Sequence, residues 1–305
     1  MYTNFDLNIN TLRFVTQNSF KFCFSGALRA YSSEIPKYET LAVSEPKPHV
    51  FHVELNRPKK FNTFNIAMWR ELKECFSALS QSPDCRVVVL SAQGKHFTGG
   101  IDFNSLMELG QKFADHPDVA RRSKLLYQMI KDYQDSITSL EECVKPVLSI
   151  VHSACVGAGV DLITAADMRY CTSDAWFQVK EVDIGMAADV GTLQRLPKVI
   201  GSTSIARDLC FTGRKFDANE ALHIGLVSKV YQDKDSALKE VIDVAVSIAS
   251  KSPVAVQTTK QNLIYSQSRP TKKGLEHIVS NNAKGLAHTA KSVVIYLPFY
   301  ELIMN

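Results

Sequence analysis

Residues 155–195 read CVGAGVDLITAADMRYCTSDAWFQVKEVDIGMAADVGTLQR. A glycine-containing turn, Gly157-Ala158-Gly159, opens an apolar run with helical spacing. Three carboxylates are embedded in this stretch. Asp161 lies between Val160 and Leu162. Glu181 follows a short expected strand, Trp176–Val179. Asp189 follows Met186-Ala187-Ala188 and precedes a helical run, Val190–Leu196. Acids are rarely buried without a partner. Three of them in apolar surroundings point to a water-poor pocket, where carboxyl pKa values rise and protons move at neutral pH. Taken singly, each acid has a plainer reading. Asp161 suits the first turn of a helix, Asp189 an N-cap, and Glu181 a surface position beside Lys180. Taken together they flank one candidate pocket.

Outward from this stretch, strands alternate with helices, which predicts the α/β class. Glu34 to Pro48 reads as an extended lead-in and His49–Leu55 as a strand. Ile66–Leu79 has helical spacing, with Met68, Trp69, Leu72, Phe76 and Leu79 on one face. Arg86–Leu90 and Pro146–Val151 are apolar strands. Phe113 to Leu140 reads as a long helix. After Gly213 the pattern is helical, over Asp217–His223, Asp235–Lys251, Val254–Gln267 and a last stretch from about Leu275 to Leu302. The expected layout is a lead-in at 32–46, a core at 47–213 and a helical region at 214–305.

The chain's 305 residues carry a formal charge of +4, too small for a protein that coats nucleic acid. Its seven cysteines show no metal-ligand or CxxC spacing, which favours a reducing compartment and predicts no metal. No apolar run reaches the roughly 20 residues of a membrane span. Residues 1–33 contain Arg13, Lys21 and Arg29 but one acid, Asp6, which reads as an organelle transit peptide. Arg29-Ala30-Tyr31-Ser32-Ser33 resembles a mitochondrial processing site. Loss of residues 1–31 removes those three bases and that acid and takes the charge from +4 to +2. The final Leu302-Ile303-Met304-Asn305 is no peroxisomal address.

Two glycine-containing loops, Thr98–Asp102 and Gly157–Gly159, can each present a backbone N–H to an oxyanion, although glycine also serves simply to permit tight turns. Neither fits a nucleotide motif. His96 and His152 lack an accompanying nucleophile signature and read as structural, and Cys155 reads as small buried packing. Arg57, Lys59 and Lys60 form a basic loop that suits either ligand phosphates or solvent.

These motifs resemble the crotonase (enoyl-CoA hydratase/isomerase) superfamily from about Lys47 to Ile264. The resemblance rests on Asn56-Arg57-Pro58, Phe97-Thr98-Gly99-Gly100-Ile101-Asp102, the Gly157–Asp161 turn, and Gln194-Arg195-Leu196-Pro197 followed by Gly201. It implies a spiral of repeated ββα units, a C-terminal helical region that builds homotrimers or homohexamers, and acyl-CoA thioester substrates. Coenzyme A is then part of the substrate, and no separate cofactor is expected. By motif position the oxyanion donors are Ile101 and Ala158, with Gly159 adjacent. Gly100, Asp102, Phe103 and Asn104 complete the substrate-binding loop, and Arg57 and Lys59 meet the CoA phosphates. Within the superfamily the Asp161, Glu181, Asp189 trio resembles the dienoyl-CoA isomerase branch. A hydratase has glutamate at the first position and glycine at the third. The resemblance implies a 1,5 proton shift that turns a 3,5-diene into a 2,4-diene in mitochondrial β-oxidation. The alternatives are a hydratase, a Δ3,Δ2-enoyl-CoA isomerase, or a non-catalytic acyl-CoA- or RNA-binding relative.

Overall fold

A computed structural model describes residues 36–114 and 118–288. The expected transit segment and the last part of the expected C-terminal helix lie outside the described residues. A six-stranded sheet has the order β1-β2-β3-β4-β6-β9. Its strands are β1 (Leu41–Lys47), β2 (Val50–Leu55), β3 (Val87–Ala92), β4 (Val147–Val151), β6 (Met168–Thr172) and β9 (Lys229–Tyr231). β1 is antiparallel to β2, and every later neighbour is parallel. A second sheet joins β5 (Ala154–Val156), β7 (Trp176–Gln178) and β8 (Phe216–Asp217).

The central parallel strands β3 and β4 are buried at every position and mostly apolar because both faces are covered. Val88, Leu90, Val147 and Val151 enter the larger core. Their alternates Val87, Val89, Leu148 and Ile150 face α8 (Lys234–Ala249). That helix buries Ala237, Val241, Ala245 and Ala249 at intervals of four, so it lies close to the sheet. On the other face is α1 (Ile66–Gln81), capped by the Asn65 side chain accepting from Met68 N–H at 2.9 Å. Its predicted face is buried, and Glu71 is buried with it. The Glu71 carboxylate accepts from Glu39 N–H, Thr40 N–H and the Thr40 hydroxyl at 2.6–2.9 Å, which ties α1 to the start of β1.

Three segments differ from expectation. The lead-in contains β1, an edge strand, where Pro46 costs no ladder bond. The expected long helix is α3 (Val119–Glu142), started by the Asp118 N-cap, and before it stands α2 (Phe103–Ala114), which lies almost wholly outside the expected range. Beyond Gly213 the chain still supplies β8 and β9 before it becomes wholly helical. The remaining helices are α4 (Ala158–Thr164), α5 (Thr192–Ile200), α6 (Thr203–Thr212), α7 (Ala218–His223), α9 (Pro253–Ser266) and α10 (Thr271–His288).

Helix α9 is fastened to the core by Lys260, whose side chain is 5% exposed. Its ammonium reaches Asp167 Oδ2 at 2.7 Å and donates to the carbonyls of Leu140 and Lys145 at 3.2 and 3.0 Å. Asp167 also accepts from Val147 N–H at the start of β4. Removing the cation strands a half-buried carboxylate. Lys260→Ala is expected to lower stability by about 3–5 kcal/mol, read as a lower urea midpoint.

Candidate active site

Two loops meet where β5 runs into α4. Thr98 pairs in parallel with Cys155, through Thr98 N–H to Ala154 O (2.9 Å) and Val156 N–H to Thr98 O (3.2 Å). Ile101 pairs with Phe64, through Phe64 N–H to Gly100 O (2.8 Å) and Asp102 N–H to Phe64 O (3.0 Å). Such a bridge uses the groups flanking Ile101, so the N–H of Ile101 itself points to the opposite side. Ala158 opens α4, and its N–H is one of the donors a helix leaves unpaired. Neither N–H has a hydrogen-bond acceptor among the described residues.

Glycine brings these loops together. Gly100 has φ +92°, and a Cβ there would stand 3.0 Å from the Val156 carbonyl oxygen. A Cβ on Gly159 would stand 2.4 Å from Thr98 Cγ2 and 3.0 Å from Cys155 Sγ. Both positions need a bare backbone. The junction is braced by Asn62, a fully buried residue that the sequence reading did not single out. Its amide donates to the carbonyls of Gln93 (2.7 Å) and His96 (2.9 Å), and its own carbonyl accepts from the Thr98 hydroxyl (2.7 Å). An asparagine in a polar loop carries no periodicity, so pattern alone could not have found it.

The three acids surround this junction in different states. Asp161 is fully buried on α4. Its Oδ1 accepts from Thr192 N–H at 2.5 Å, and its Oδ2 has no partner. It therefore caps α5 rather than its own helix. Burial pushes its carboxyl up to about 6, against the Thr192 bond and the Arg195 charge. Glu181 follows β7 in a short 3-10 turn, with Oε1 3.2 Å from where a Gly157 Cβ would stand. Its Oε2 is buried without a partner. Burial, with the charges of Asp161 and Asp189, pushes it up to about 7. Lys180 pairs with Asp183 instead, at 2.5 Å, so Glu181 is not the surface partner of Lys180. Asp189 is the most open of the three in the single chain. It does not cap α5, whose N-cap is Gly191. Partial burial raises its carboxyl, and its own charge reaches both other acids.

The loop after Ile101 has mixed duties. Asp102 Oδ1 caps α2 by accepting from Asn104 N–H (3.1 Å) and Ser105 N–H (3.3 Å). Its Oδ2 holds Arg57 Nη1 at 3.0 Å. Arg57 also donates to the Thr63 carbonyl, so its guanidinium is engaged inside the chain. Lys59, Phe103 and Asn104 are exposed. His152 Nε2 donates to Gly94 O (2.9 Å) and His96 Nδ1 meets Ser153 Oγ (2.9 Å), so both histidines shape the loop. Cys155 is packed under Gly159. Cys210, on α6, is raised by burial and then by the nearby charges of Glu181 and Asp161.

The raised Glu181 carboxyl has a thermodynamic signature. Folded Glu181 titrates near 7 and an unfolded glutamate near 4.5, so the folded state holds the extra proton between these values. The contribution is complete below pH 4.5 and is lost as pH rises through 7. Glu181→Gln is expected to be more stable than the parent at pH 8, by on the order of 2 kcal/mol. Urea unfolding at pH 8 and pH 4.5 checks this, the difference closing at the lower pH.

The enoyl-CoA hydratase/isomerase family pattern matches residues 45–297. The mitochondrial Delta(3,5)-Delta(2,4)-dienoyl-CoA isomerase of Rattus norvegicus is 50% identical over 266 residues, 85% of this chain and 80% of that protein. The peroxisomal enzyme of the same name from Arabidopsis thaliana is 42% identical over 248 residues, 81% of this chain and 89% of that protein. The crystal structure of an enoyl-CoA hydratase from Bacillus anthracis superposes with a TM-score of 0.74 at 25% identity, covering 86% of this chain and 96% of that one. The chain belongs to the enoyl-CoA hydratase/isomerase family.

Proposed function

We propose that this protein is a Δ3,5-Δ2,4-dienoyl-CoA isomerase acting in the β-oxidation of unsaturated fatty acids. The observation that carries the reading is the set of three acids, all with raised carboxyls, around one junction of two unpaired backbone donors. The N–H groups of Ile101 and Ala158 hold the thioester oxygen. Donors fixed in the backbone stabilise the negative charge that develops there, each by roughly 2.7–4 kcal/mol in related chemistry. Asp189 takes the proton from C2, and the electrons delocalise through the diene to the thioester oxygen. Glu181 delivers a proton at C6. The substrate loses one proton and gains one, so the product is an isomer. Asp189 then releases its proton and Glu181 regains one. The openness of Asp189 suits release to water, and a Glu181 carboxyl near 7 is well populated as an acid at neutral pH. Two acids serving two carbons need no metal or redox group.

Asp161 assists by keeping a charge beside Glu181. A hydratase needs the acid at this position to activate water, whereas Asp161 is dry and bonded to Thr192 N–H. That geometry favours the isomerase over the hydratase.

The acyl-CoA thioester is the proposed partner at this site, with Lys59 as a candidate contact for its phosphates. A homotrimer or homohexamer is proposed as the working assembly. The large apolar side chains of Leu263, Leu275 and Val279 stand exposed on α9 and α10 of the single chain, as a surface awaiting a second copy does. No helix among the described residues is long and apolar enough to cross a membrane. Residues 1–31 are proposed to direct the chain to the mitochondrial matrix.

Three experiments test this reading. Incubation with 3,5-octadienoyl-CoA is expected to shift the ultraviolet absorbance as the double bonds conjugate with the thioester. Asp189→Asn and Glu181→Gln should each lower kcat by about 10²–10⁴, and parental rates in both would overturn the roles. Fusion of residues 1–31 to a fluorescent protein should place it in mitochondria, and a diffuse signal counts against the targeting.

A further inference from the structure

The Gln194-Arg195-Leu196-Pro197 motif has no part in the proton shift as described, yet Arg195 sits directly behind the acids. Its Nε and Nη2 reach Glu141 Oε2 at 2.9 and 2.7 Å, and Nη2 donates to the Thr138 hydroxyl at 3.0 Å. Its side chain is 14% exposed. The guanidinium lies against the backbone at Gly191, where a Cβ would stand 2.0 Å from Nη1. Gly191 has φ +140°, which a side chain would resist in any case. The next residue, Thr192, gives its N–H to Asp161. On the other side of the turn, Gln134 Nε2 donates to the Asp189 carbonyl at 2.7 Å. Gln134, Thr138 and Glu141 follow each other at four and three residues along α3, so they share one face.

We propose that Arg195 is a positioning residue for the proton transfer: clamped to Glu141 and Thr138, it holds the 189–192 turn against α3 and so sets Asp189 and Asp161 about the substrate. Gln134 holds the turn from its other end. The inference rests on the reading of Asp189 as the base. It adds that the base has no rigid element of its own. Asp189 stands in a loop, outside α5, and its place is fixed by contacts at its carbonyl and at Gly191 and Thr192, where the helix begins.

The clamp is also a charge. Asp161 faces Glu181 and Asp189, the thiols of Cys155 and Cys210, and the cation of Arg195, behind which lies Glu141. The Thr192 bond and that cation both favour the ionised state of Asp161, so loss of the cation lets the carboxylate cluster hold protons to higher pH.

The test compares Arg195→Gln, Arg195→Lys and Gln134→Ala in the full-length enzyme, with kcat, KM and the pH profile of kcat on a 3,5-dienoyl-CoA. A misplaced base costs turnover rather than binding. Each variant is expected to lose about 10- to 100-fold in kcat, with KM within about twofold. The limbs of the profile should move to higher pH in Arg195→Gln alone, since lysine keeps the charge and Gln134 carries none. Arg214→Gln, which loses ion pairs to Asp208 and Glu220 away from the turn, should keep parental kcat and profile. A kcat within twofold of the parent in Arg195→Gln overturns the proposal. So does a rise in KM with kcat intact, or a profile that stays in place when the charge is removed. If Asp189→Asn keeps parental turnover, the assignment of the base itself fails, and the clamp then has no proton transfer to serve.

Discussion

The site depends on how closely the backbone of residues 98–101 lies to that of residues 155–159. The parallel bridge between Thr98 and Cys155 and two bare glycines set that distance. The donors they expose are main-chain groups, held by the sheet and by α4, so they need no reorganisation when charge appears before them. A side-chain donor would bring rotamer freedom with it. Asn62 extends the same logic to the incoming loop, joining two carbonyls and the Thr98 hydroxyl through one buried residue.

The acids show how a fold can carry carboxyls for opposite purposes. Glu71 is buried and fully met by donors from residues 39 and 40, and it serves as a fastening. Asp161 and Glu181 are buried with one oxygen each unmet. Such atoms are costly in a folded chain. They persist at a site where raised carboxyls are useful, a common exchange of stability for activity.

Much of this was legible in the residues. The runs at β3 and β4 carry no charge and are broken only by Ser91 and Ser149, so their burial on both faces could be read directly. The trio of acids stood out because their neighbours are apolar. What escaped the reading was set by tertiary contact. β8 and β9 are two and three residues long and have no period of their own. β1 contains Pro46 and charged residues and becomes a strand only because β2 lies beside it. Asp189 looked like a cap because it precedes a helical run, but α5 starts later, at the point where Asp161 reaches across to Thr192. Arg57 looked like a phosphate ligand because its loop is basic, and only the folded chain brings Asp102, 45 residues away, to meet it.

The buried ammonium of Lys260 has a consequence of its own for a molecule that works among acyl thioesters. Amines attack thioesters as the free base. Lys260 is hidden from solvent and ion-paired to Asp167, so its nitrogen is not reached. Acylation there would abolish the cation that Asp167 faces and leave the amide too bulky for the space between two carbonyls. The helical end of the chain is thus hung on an amine that reactive acyl groups meet only after α9 has already come away.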